Sequence, residues 1–142
     1  MTLIVPNVGE VAMLRSFLGV AGELGVPYSL RLFSNNVTPG SASVAGDFTL
    51  VTGGGYAHKS LAAASWDVTS DAPSKIQYNA VQAFVFTGAT DAPGTIYGYL
   101  IVDSAGILIA AERLPFPPYT PSVNGDTINI TPVITLGSVN SD

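Results

Sequence analysis

The chain has 142 residues, ten acidic against five basic side chains for a net charge of −5, one histidine and no cysteine. That inventory excludes disulfides, thiolate metal sites and cysteine nucleophiles, any multi-histidine metal centre, and the basic stripe that phosphate neutralisation needs, so no nucleic-acid partner is expected. Hydrophobic residues make up 47% and charged residues 11%, about half the usual charged share, yet no stretch supplies the roughly 18 unbroken apolar residues of a membrane span.

The best apolar stretch, 96–111, is broken by Asp103 and Ser104 and punctuated by Gly98 and Gly106. No membrane partner is expected, and the apolar surplus points to a subunit that buries surface against neighbours. Residues 1–142 are long enough for one domain with its own core. The opening Met1-Thr-Leu-Ile-Val-Pro6 has no basic segment and too short an apolar one for a signal peptide. Synthesis in the cytoplasm without export is therefore expected.

One helix is predicted, over about 7–20. Asn7 and Glu10 fit an N-cap with its reciprocal carboxylate after Pro6. Val8, Val11, Leu14, Phe17 and Leu18 recur at helical spacing. Gly19, Gly22 and Gly25 end it.

Everything after Pro27 reads as β-structure. Tyr28, Leu30 and Leu32 alternate with Ser29 and Arg31, a further short strand fits 48–51, and another strand surrounds Trp66. In 75–87, Ile76, Tyr78 and Ala80 precede Phe84 and Phe86. A break near Val81–Gln82 predicts a bulge, or a bend where the strand changes sheet.

The clearest unit is 95–114, two apolar runs around Asp103-Ser-Ala-Gly106, with Asp to open a turn and Gly106 for its left-handed residue. Both runs are apolar on both parities, so the second face needs another sheet or another subunit. Glu112 and Arg113 close the run on opposite faces.

Leu114-Pro-Phe-Pro-Pro-Tyr-Thr-Pro121 cannot be a central strand, because proline donates no ladder bond. An extended arm over 114–121 is expected, carrying Phe116 and Tyr119, either as a segment that docks on a neighbour or as a rigid crossover between two sheets of one subunit. After the Asn124-Gly125 turn, Ile128, Ile130, Ile134 and Leu136 alternate with polar residues, and Pro132 argues for an edge position. The pattern predicts a mainly β domain, a jelly-roll-like antiparallel β-sandwich with one short N-terminal helix.

Reactive constellations are sparse. Gly53-Gly54-Gly55 precedes Lys59-Ser60, but no glycine stands directly before the lysine and a strand follows, so a phosphate loop is not expected. His58 and Ser60 share a face of an extended chain without a nearby carboxylate to orient the imidazole. Asp67, Asp71, Asp91, Asp103 and Asp126 fall at strand ends and turns, where capping is the ordinary role. Trp66 reads as a core or subunit-contact residue. The sequence therefore nominates no catalytic, cofactor-binding or metal-binding residue and no cofactor.

Four segments carry a resemblance: Leu3-Ile-Val-Pro-Asn-Val-Gly-Glu10, Leu32-Phe-Ser-Asn-Asn-Val-Thr-Pro39, Tyr97 through Leu114, and Asn124-Gly-Asp-Thr-Ile-Asn-Ile-Thr-Pro-Val-Ile-Thr-Leu136. In this order they resemble small structural proteins of tailed-bacteriophage virions. The resemblance implies a structural role, on the head as a cement or decoration protein or in the tail. The lack of a repeat or coiled-coil heptad favours a compact clamp, and the acidic, cation-poor composition favours the outer surface of the head. Its partners would be the major capsid protein and copies of itself as a dimer or trimer. A minor tail, baseplate or fibre component is the alternative within that class, and a carbohydrate-binding module is the alternative outside it. The contact residues expected are Leu3, Ile4 and Val5 of the N-terminal segment with Pro115, Phe116, Pro117, Pro118 and Tyr119 of the arm.

Overall fold

A computed structural model describes residues 3–17, 27–69 and 74–136. Among them are one helix, α1 (Asn7–Phe17), and nine strands: β1 (Tyr28–Phe33), β2 (Lys59–Leu61), β3 (Trp66–Thr69), β4 (Ser74–Tyr78), β5 (Gln82–Val85), β6 (Gly98–Val102), β7 (Leu108–Arg113), β8 (Thr127–Ile130) and β9 (Val133–Leu136). The protein is mainly β, as its alternation predicts, with three antiparallel sheets. Their strand orders are β2-β1-β6-β7, β3-β4-β9 and β5-β8.

The two smaller sheets are halves of one bent ribbon. β5 pairs with β8 from Gln82↔Ile130 to Val85↔Thr127, and β4 pairs with β9 from Ser74↔Leu136 to Gln77↔Val133. The expected break near Val81–Gln82 is the bend, where the chain passes from one sheet to the other. Pro132 marks the same bend on the opposite strand, fully buried, its carbonyl accepting from the Tyr78 N–H at 3.0 Å. The segment around Trp66 also divides, into β2 of the large sheet and β3 of a small one, across a turn at 63–65.

One face of the large sheet packs on this ribbon. Leu30, Leu32, Leu61, Tyr99, Ile101 and Ile109 meet Tyr78, Phe84, Ile128 and Ile130 in a single cluster. The other face holds a second cluster, with Phe33, Leu100, Val102, Leu108 and Ala111 beneath Phe48, and Val37, Ala45 and Tyr97 around them. Phe48 belongs to an excursion over 34–48 that returns to pair with the end of β1, Phe33↔Leu50. Both strands of the hairpin are buried, and its second face is closed by the same chain. No second subunit is needed to cover it.

The hairpin turn forms as its residues dictate. The Asp103 carboxylate accepts from the N–H groups of Ala105 and Ile107 at 2.9 and 2.8 Å, and Gly106 takes a φ of 85°. A β-bulge interrupts the pairing between Ile101 and Val102. Glu112 and Arg113 do diverge: Glu112 is buried beside Tyr99, whereas Arg113 donates to the Asn36 side chain and the Val37 carbonyl at 2.8 and 3.0 Å.

The N-terminal segment finishes the open edge of β7. Ile4 exchanges two 2.9 Å backbone bonds with Ala111, and α1 then lies along β7. An unpaired edge invites pairing with another chain, and covering it removes that hazard.

The helix differs from its apolar stripe. Its first intrahelical bond runs from the Glu10 N–H to the Pro6 carbonyl at 3.0 Å, so Pro6, one residue before Asn7, takes the cap position. Gly9 and Ala12 are buried instead, while Val8 and Val11 are exposed. The reason is steric: a Cβ at Gly9 would stand 2.5 Å from the Ile109 carbonyl oxygen. Only a face of small residues lets the helix axis approach that strand. The side chains of Leu14 and Phe17, and residues 18–20 of the expected helix, lie outside the described part of the structure.

Candidate functional site

The arm is fastened at both ends. The Leu114 N–H donates to the Tyr97 carbonyl at 2.9 Å, Tyr119 and Ile96 exchange backbone bonds of 2.7 and 2.8 Å, and Pro121 is fully buried. The Tyr119 ring lies 6.4 Å from Phe86. Between these anchors, Pro115, Pro117 and Pro118 restrict the backbone, since each ring fixes φ near −65°. Phe116 is 94% exposed at the crest. The two aromatics expected to act together are thus separated: Tyr119 is half-buried against its own core, and Phe116 stands in solvent.

The N-terminal contact residues are also engaged within the domain. Leu3 packs against the main core, Ile4 holds the β7 edge, and Val5 is half-buried. Of the eight residues nominated, Phe116, Pro115 and Pro118 are the exposed ones.

A polar cleft of about 450 Å³ opens on the second face of the large sheet, beyond the reach of the 34–48 excursion. Ser29, Arg31, His58, Ser60, Asp103 and Ser104 line it. The alternation of β1 puts Leu30 and Leu32 into the core and Ser29 and Arg31 on this face. Ser60 is brought alongside by its register with Ser29. The structure therefore unites His58 and Ser60 as their spacing suggests. No hydrogen bond links them among the described residues, and the Asp103 carboxylate in the same cleft accepts from the N–H groups of its own turn.

The glycine triplet is a tight loop. Gly53, Gly54 and Gly55 have φ of 77°, 58° and 74°, and a Cβ on any of them would collide with the segment 87–91. Asp126 accepts from the N–H groups of Ser122 and Val123, which hold its carboxyl below the usual carboxylate range. Asp67 and Asp91 are exposed, and Asp71 lies outside the described residues. Among the described residues no group of three or more histidine or acidic side chains could hold a metal ion, and no helix is long and apolar enough to cross a membrane.

Trp66 is half-buried, edge-on to Tyr78 at 5.2 Å, beside an apolar cavity of about 230 Å³ between the large sheet and β3-β4-β9. Its indole N–H is buried and has no hydrogen-bond partner among the described residues. The buried pair Tyr99–Glu112 has no precedent in the sequence reading. The Tyr99 hydroxyl donates to the Glu112 carboxylate, and burial, then that bond and the neighbouring charge, raise the phenol far above its ordinary value. The hairpin turn alone does not give this pairing: the bulge between Ile101 and Val102 shifts the register and sets Tyr99 opposite Glu112.

Comparison with family models, with curated proteins and with solved structures finds no match.

Proposed function

We propose that this chain is a structural protein of a tailed-phage virion, a cement or decoration subunit on the outer surface of the head that bridges major capsid protein subunits. The four-segment resemblance supports the class, and an acidic, cation-poor surface suits an outer position better than contact with packaged DNA. The observation that carries the attachment mechanism is Phe116, 94% exposed on an arm anchored on both sides. A rigid presenter loses little conformational freedom on docking, so more of the burial energy appears as affinity. Aromatic side chains seated in pockets are frequent anchors of protein contacts. Val68, Val81, Val85 and Val123, each more than half exposed, add apolar surface. Association of copies into a dimer or trimer rests on such surface residues, since the hairpin faces are used within the subunit.

The test is attachment to heads purified without this protein. Phe116→Ala should weaken co-sedimentation with heads by about 2 kcal/mol, the usual scale of an anchor residue, with its unfolding midpoint unchanged. Tyr119→Ala should lower stability first, because that ring belongs to the core. Equal attachment of Phe116→Ala and the parent protein would remove the arm from the mechanism. A minor tail, baseplate or fibre role uses the same arm and is distinguished by where the protein is seated in the virion. The carbohydrate-binding reading is favoured by one feature, the polar cleft around Arg31.

A further inference from the structure

We infer that the cleft at the β1–β2 end of the large sheet is a binding site for a carboxylate group. This goes beyond attachment to the head and holds wherever the domain is seated. The key group is Arg31. Its Nε donates to the Ser29 hydroxyl at 3.0 Å, which fixes the plane of the guanidinium. The terminal nitrogens make no hydrogen bond among the described residues, and the side chain is half-buried on the cleft wall. A guanidinium held at Nε presents its two terminal nitrogens as a fork matched to the two oxygens of a carboxylate.

The surroundings complete the site. The β1–β2 register pairs Ser29 with Ser60 and Leu30 with Lys59, and His58, next along the chain, lines the same cleft as Arg31. Hydroxyl and imidazole donors therefore stand beside the fork. The cleft volume, about 450 Å³, falls within the usual range for small-molecule sites. The position is also distinctive for a chain with five cationic side chains. Lys59 is turned to the other face, 5.6 Å from the Phe84 ring, and Arg113 is bonded to Asn36 and Val37. Arg31 is the cation presented to a cavity among these three.

Charge selects carboxylate over phosphate. One fixed guanidinium neutralises one negative charge, which a carboxylate carries and a doubly charged phosphate exceeds. The shared chemistry is a monoanionic carboxylate, which a simple organic acid or an acidic sugar can supply. An acidic sugar would place its hydroxyls along Ser60 and Ser104.

The experiment is a chemical-shift titration of the full chain with sodium acetate, sodium D-glucuronate and sodium phosphate at constant ionic strength. A carboxylate should give saturable shifts at the amides of Ser29, Arg31 and Ser60. Affinity should fall at least tenfold in Arg31→Gln and severalfold in Arg31→Lys, which keeps the charge and loses the fork. Tighter binding of glucuronate than acetate upholds the site and assigns an acidic sugar, whereas equal binding upholds it and assigns a simple carboxylate. No saturable shift with either, an unchanged response in Arg31→Gln, or tighter binding of phosphate than of both would overturn it. If Arg31→Gln does not fold, Arg31→Lys and Ser60→Ala carry the same comparison.

Discussion

Truncating Phe48 to alanine tests whether the chain closes its own second face. Phe48 is 6% exposed, its ring is 4.8 Å from that of Phe33, and it roofs Leu100, Val102, Leu108 and Ala111. Removing a buried phenylalanine side chain costs about 3–5 kcal/mol, the transfer term plus the cavity left behind. Phe48 sits on an irregular excursion that can partly collapse, which places the expected loss near the lower end, about 3 kcal/mol. Against a typical total of roughly 5–15 kcal/mol, the variant should still fold, with a melting temperature lower by about 10 °C. Urea unfolding monitored by circular dichroism gives the free energy, and Val44→Ala, at an exposed site on the same excursion, is the control. Sedimentation should also show the variant self-associating, because the apolar face beneath Phe48 becomes accessible. A loss below about 1 kcal/mol with unchanged sedimentation would refute the reasoning and return the covering role to another subunit.

Three further outcomes follow from single contacts. Gly98→Ala should destabilise by about 1–3 kcal/mol or prevent folding, because its Cβ would meet the Glu112 carbonyl and the Phe33 ring; equilibrium unfolding reads it. Leu108→Asp and Ile109→Asp should each abolish folding by circular dichroism, since Leu108 belongs to the cluster under Phe48 and Ile109 to the cluster facing the ribbon. Stability should fall as pH rises above 10. There the native state keeps the Tyr99 proton that the unfolded chain has lost, so the slope approaches about −1.4 kcal/mol per pH unit. Tyr99→Phe should flatten that slope in pH-dependent urea titrations while lowering stability at neutral pH, because the buried Glu112 carboxylate loses its donor.

Where local rules decided the outcome, the fold was legible. The Asp103–Gly106 turn, the alternation of Leu30 and Leu32 against Ser29 and Arg31, and the change of sheet near Val81–Gln82 are all short-range consequences of residue type. The buried face of α1 was not legible, because an apolar stripe at Val8 and Val11 says nothing about how close the helix must come to β7. That distance belongs to the tertiary structure, and it favours Gly9 and Ala12. The cover over the hairpin was hidden for a similar reason. Phe48 is one aromatic in a glycine- and serine-rich stretch, and only the return of the chain to Leu50 places it over Leu100 and Leu108. The candidate site was half visible: proline spacing marks the arm, but nothing local tells that Tyr119 bonds to Ile96 while Phe116 stays outside. The cleft at Arg31 was visible as a face-sharing pair, His58 and Ser60, without the cation that gives it chemistry, because Arg31 lies 27 residues earlier and joins them only through the β1–β2 register.

Localisation in the virion tests the central claim most directly. Cryo-electron microscopy of the intact phage, reconstructed with the symmetry of the head, should show a domain of this shape repeated on the outer shell. It should bridge neighbouring capsid subunits, with the crest at Phe116 against one of them. Density for the domain confined to the tail or baseplate, or virions whose protein content lacks the chain altogether, would contradict the account.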